Sequence, residues 1–130
     1  MTPVAWQRVE SALIAAAALV AGPAALGIAW WWPLALFLAF DLSMVGYLAG
    51  TRAGALLYNA VHTYVSPAIL LGIAVLAGGL TWIAVAGVAW VFHVAVDRAL
   101  GYGLKLDDAF EHTHLGWIGK RARTAVRSDS

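Results

Sequence analysis

The stretch LTWIAVAGVAWVFHVAVDRAL, residues 80–100, decides the fold. Its two charges, Asp97 and Arg98, come near its end. As a helix rising about 1.5 Å per residue it covers about 30 Å, the thickness of a bilayer's hydrocarbon core. Three further stretches have the same character, at about Val9–Gly27, Trp31–Leu48 and Ala55–Ala77. Pro33 suits a first helical turn, and Gly- and Pro-containing turns separate the spans at 21–27, 50–54, 78–79 and 101–103. With 62% hydrophobic and 12% charged residues, a soluble domain of 130 residues would have to expose much of its apolar surface. The expected fold is all-α: an integral membrane four-helix bundle closed by a short C-terminal amphipathic interfacial helix. Residues 1–119 form the membrane domain and 120–130 a basic cytoplasmic tail.

Arg8 ahead of the alanine-rich run 11–21 resembles a signal peptide. Glu10 sits beside that run, where a cleaved signal carries only basic charge, so a retained first span is expected. Orientation follows from Arg8, Arg52, Arg98, Lys105, Lys120, Arg121, Arg123 and Arg127, which four spans place on one side. The opposite connections carry no charge, and Trp30, Trp31, Trp32 and Trp82 lie near them. The positive-inside rule then makes both termini cytoplasmic in a bacterial inner membrane. The absence of cysteine removes disulfides, thiolate ligands and thiol nucleophiles, and no nucleic-acid reading motif is present.

Beyond Gly103 the chain turns polar. Asp108 with Glu111 three residues later reads as a helix start, and Phe110, His114, Trp117 and Ile118 then share a face. Such a helix, followed by Lys120, Arg121 and Arg123, would lie on the membrane surface with anionic lipids as partners. His112 points to solvent in that arrangement, and Thr124–Ser130 form a loose end.

Polar residues inside the spans carry the chemistry. Counted from the cytoplasmic ends at an α-helical rise, Asp41 lies about 13 Å deep, His62 and His93 about 12 Å, and Asp97 about 6 Å. Asp41 thus needs a partner, a proton or water at the level of the two imidazoles. Asp97, at i+4 from His93, can orient that ring. Pro67 removes the donor to the carbonyl of Thr63 and favours a kink beside His62.

The leading reading is a divalent metal site for zinc or a similar ion, with Asp41, His62, His93 and His114 as ligands. Asn59, Asp97, Arg98 and Tyr102 support it, His114 acting as a lid. Arg98 reaches the interface or pairs with Asp97 or Asp107. As an enzyme the site would hydrolyse a lipid-type substrate, with Asp41 and Asp97 as the catalytic carboxylates. No HExxH motif accompanies the set. One alternative is a small oligomeric transporter or proton-coupled accessory subunit, with Gly46, Ala49, Gly50, Ala53 and Gly54 as a close-packing surface. Another is a structural subunit of a larger membrane complex with a polar packing core.

Four strings add a resemblance: DLSMVGYL at 41–48, YNAVHTY at 58–64, HVAVDRALGYGLK at 93–105 and THLG at 113–116. From the second span to Gly119 the chain resembles a bacterial family of small membrane proteins, domain of unknown function 4260. The resemblance implies a one-domain helical membrane protein of unassigned activity. It lends weight to Asp41, Asn59, His62, His93, Asp97, Arg98 and His114 as motif members, while His112 falls outside the pattern.

Overall fold

A computed structural model describes residues 1–79 and 81–128. Helix α1 (Pro3–Leu26) starts at Thr2, whose hydroxyl accepts the amide of Ala5. A single turn, α2 (Trp32–Ala35), leads into a 3₁₀ helix (Phe37–Ala49). The chain turns at Gly50 into α3 (Thr51–Val61), breaks at 62–64, and continues as α4 (Val65–Leu76) and α5 (Thr81–Leu100). Two short strands, β1 (His112–Thr113) and β2 (Gly116–Trp117), pair antiparallel, and α6 (Lys120–Ser128) follows.

Four helical segments are long and apolar enough to cross a membrane: Pro3–Leu26, Trp32–Ala49, Thr51–Leu76 and Thr81–Leu100. The protein is an all-α integral membrane four-helix bundle with a minute two-stranded sheet. Leu80, the first residue of the expected fourth span, lies outside the described residues. Helix α5 is the axis of the bundle. Half of its window is buried, against a fifth or less of most others, and α1, α2, α4 and the 3₁₀ helix all pack on it. Small side chains allow the close approach: Ala15 and Ala18 of α1 meet Ala95 and Phe92 of α5.

The second span departs most from expectation, because it is 3₁₀ rather than α over thirteen residues. At three residues per turn, Leu42, Val45 and Leu48 line one outward stripe, exposed by 75%, 59% and 88%. Phe37, Phe40 and Gly46 fall on the inward side: the two rings meet α5, and Gly46 lies against Ala53, Gly54 and Leu57. Gly46 and Gly54 are therefore used inside the chain, where the sequence suggested a surface between protomers.

Residues 108–118 do not form the expected helix. Gly116 sits at φ 116°, which closes a turn that a helix cannot contain. The Thr113 hydroxyl reinforces it, donating to the Gly116 carbonyl and accepting the amide of Leu115. Asp108 consequently caps nothing and instead accepts from His112 Nδ1 at 2.7 Å. The C-terminal helix comes later, as α6, so residues 124–128 are helical rather than loose. Asp129 and Ser130, the end of the expected loose tail, lie outside the described residues.

Gly54 tests the seam between the 3₁₀ helix and α3. A methyl group there would collide with the Tyr47 ring, whereas one at Gly72 meets open space. Gly54→Ala is expected to cost about 1–3 kcal/mol by overpacking. Gly72→Ala should cost nothing. Unfolding of both variants in mixed micelles checks this, and equal stability would remove the proposed seam.

Candidate metal centre

Asp41 from the 3₁₀ helix, His62 at the end of α3, and His93 and Asp97 from α5 converge on one point. The level arises from the hairpin at Gly50. Nine residues of 3₁₀ helix at about 2.0 Å each raise Asp41 by about 18 Å. Twelve residues of α-helix at about 1.5 Å each raise His62 by the same amount. An α-helical second span would leave Asp41 a turn too low.

The donor atoms fit a small cation. The two Nε2 atoms are 3.0 Å apart. His62 Nε2 lies 3.7 Å from Asp41 Oδ1 and 3.5 Å from Asp97 Oδ2; the values for His93 Nε2 are 3.6 and 3.5 Å. All four donors lie within 4.8 Å of one another. Four ligands about 2.0–2.1 Å from a tetrahedral ion stand about 3.3 Å apart. A buried Asp/His/His/Asp group of this size could hold a metal ion.

Neighbouring groups orient the ligands. His62 Nδ1 donates to the carbonyl of Tyr58 at 2.9 Å, which frees Nε2 to face the cluster. The Tyr58 ring stacks on His62 at 3.6 Å, and its hydroxyl reaches Asp97 at 3.5 Å. Phe37 and Phe40 close around His93, with ring centroids 4.7 and 5.4 Å away. His93 Nδ1 is buried without a hydrogen-bond partner, so His93 lacks the outer acceptor that a metal-bound histidine usually has.

The helix break beside His62 is paired, not open. Trp90 Nε1 donates to the carbonyl of Val61 at 2.5 Å, Arg98 to that of His62 at 3.3 Å, and the Ser66 hydroxyl to that of Ala60 at 2.5 Å. Arg98 also lies over the Tyr64 ring, and Asp107 pairs with Arg52 instead. Arg98 thus supports the backbone at the site and has no carboxylate within ion-pair distance among the described residues. Trp90 carries no signal of this role in the sequence beyond its indole.

His114 is not in the cluster, which corrects its expected place among the ligands. It is exposed, on the outward side of the hairpin, and its Nδ1 accepts the amide of Leu104 at 2.8 Å. Alternation along a strand sends Thr113 inward and its neighbours outward. Asp97, expected as a catalytic and supporting carboxylate, is the fourth member of the donor group. His112 is half-buried, stacked on Trp117 at 4.0 Å, rather than turned to solvent.

Inward with Thr113 goes Lys105, which bridges to it across the loop and is 4% exposed. Asn59 fixes the Lys105 backbone from both sides: Nδ2 donates to its carbonyl at 2.8 Å, and Oδ1 accepts its amide at 2.7 Å. Burial pushes the Lys105 ammonium pKa down, while Asp97 and Glu111 pull it back up. The sequence reading counted Lys105 only as charge and did not place it beside the cluster. With Asp41, Asp97, Tyr58, Tyr102 and Phe110 it lines a cavity of about 210 Å³ on the carboxylate side of the cluster.

The hairpin carries its own pH dependence. Burial, then the charge of Arg98, lowers the His114 pKa below its usual 6.5. The neutral ring is the form that accepts from Leu104, so this contribution is complete above about pH 6.5 and lost as pH falls through the lowered value. Leu104 amide protection, relative to the intrinsic exchange rate, should drop as pH is taken from about 6.5 down through that lowered value. It should not drop in His114→Phe. Constant protection in the wild type would exclude this bond as the source.

No curated protein and no solved structure matches the chain. A family model does, over residues 4–118, and so takes in the first span as well as the cluster and the hairpin. The chain belongs to the family described as domain of unknown function 4260.

Proposed function

We propose that Asp41, His62, His93 and Asp97 form a divalent metal centre, for zinc or a similar ion, in a membrane metal-dependent hydrolase of lipid-type substrates. The observation that carries this reading is the set of donor separations from three spans, 3.0 Å between the imidazoles and 3.5–3.7 Å from imidazole to carboxylate. Charge supports it: the two carboxylates of the group can balance one divalent ion.

Two imidazoles and one carboxylate match the ligand set of hydrolytic zinc sites, which keep a further position open. Asp97 suits the ligand role, since it is the more buried acid and Tyr58 reaches it. Asp41, on the cavity wall and more exposed, then serves as general base. A bound ion would supply an activated water and stabilise developing negative charge. Asp41 would accept a proton at its carboxylate and return it to the leaving group.

Arg8 contacts the end of α5, and Arg52 pairs with Asp107 near the loop, so these basic residues mark one end of the bundle. Trp32 packs on Trp82 at the other. We place the basic end, the cavity mouth and both termini at the cytoplasmic face of a bacterial inner membrane, in contact with lipid headgroups.

A polar packing core is the second reading, favoured by the direct His62–His93 hydrogen bond. Metal analysis separates the two. Purified wild type is expected to hold about one ion per chain, and His62→Ala, His93→Ala or Asp97→Asn to lose at least about tenfold in affinity. His114→Ala should keep it. Equal metal content in wild type and the three cluster variants would exclude the metal centre.

A further inference from the structure

We propose that Lys105 is an anion-binding residue of this site, and that the group it receives in the cavity is a phosphate. The proposal rests on the metal reading above. Lys105 is nine-tenths and more buried, yet no carboxylate lies within 4.0 Å of its Nζ among the described residues. Its ammonium sits instead over two rings of the cavity wall, 4.1 Å from the Phe110 centroid and 5.1 Å from that of Tyr58. Aromatic faces hold a cation in place but give its N–H groups no oxyanion to pair with, and Asp97 and Glu111 act on it only from beyond 4.0 Å. Two Asn59 bonds to the Lys105 backbone and pairing with Thr113 keep the ammonium at the cavity.

The carboxylates on the same wall, Asp41 and Asp97, belong to the donor group that includes both histidine Nε2 atoms. With an ion held by His62, His93 and Asp97, the cavity offers an ammonium on one side and an electropositive centre on the other. That pair selects an oxyanion with oxygens pointing both ways, and a phosphate presents several. The space is sufficient: about 210 Å³ equals the share of about seven waters in the liquid. The cavity runs from Asp41 and Asp97 within the spans to Tyr102, Lys105 and Phe110 beyond Leu100, where the fourth span ends, and Tyr102 and Phe110 are each over a third exposed. A lipid headgroup and a soluble phosphate compound can both reach this level.

The test uses cobalt(II)-loaded full-length protein in maltoside micelles, which contain no phosphorus. Inorganic phosphate and dihexanoyl phosphatidic acid are titrated separately, and paramagnetic broadening of the phosphorus NMR signal reports binding beside the ion. Wild type should broaden at least one probe, and His62→Ala neither. Lys105→Met should bind at least tenfold more weakly with unchanged metal content, and Lys105→Arg should restore binding. A tenfold preference for phosphatidic acid assigns a lipid headgroup; equal or stronger binding of inorganic phosphate assigns a soluble compound. Equal affinity in Lys105→Met, or a metal-loaded wild type that broadens neither probe, overturns the proposal alone, even if Lys105→Met fails to fold. A wild type that takes up no metal overturns the metal centre and this inference together.

Discussion

Two aspartates within membrane-spanning helices set the terms for the rest of the molecule. Each costs about 2.5–3.5 kcal/mol at a span's centre on insertion scales, and more when kept from water. Dispersed over separate faces, they would each need their own partner. Here Asp41 and Asp97 share the same two imidazoles, so one polar island serves both. Helix α5 can hold that island because small residues bury it on several sides, leaving His93 with no exposed surface.

Bringing the four donors to one depth requires irregular backbone, and irregular backbone in a membrane must be paired. The 3₁₀ helix lengthens the second span per residue while keeping its amide bonds internal, which aligns Asp41 with His62. The break after Val61 turns His62 off the helix axis, and side chains of α5 and α4 take up the carbonyls it frees. Trp90 does this on one side of the island, and its other face stacks on Phe40 at 5.3 Å. The same residue therefore holds the kink and walls off the histidines.

Four spans and the convergence of Asp41, His62 and His93 were legible, because bilayer thickness and the cost of buried charge act on composition and spacing. The 3₁₀ helix was not. Its period is visible only where polar and apolar residues alternate, and DLSMVGYL offers almost none of that contrast. The hairpin was misread for the opposite reason: Phe110, His114, Trp117 and Ile118 have genuine helical spacing, but Gly116 outweighs it. That one turn explains both errors at the site. It removed His114 from the ligand set and delivered Lys105, whose neighbours in sequence give no hint of burial.

The segment Tyr58–His62 ties these pieces into one geometry. Within a single helical turn, the Tyr58 carbonyl fixes the His62 tautomer, its ring stacks on that imidazole, and its hydroxyl reaches Asp97. The next residue, Asn59, clamps the Lys105 backbone from both sides. The distance from metal donor to cation is thus set by the rise of α3, a rigid element, rather than by the loop that carries Lys105.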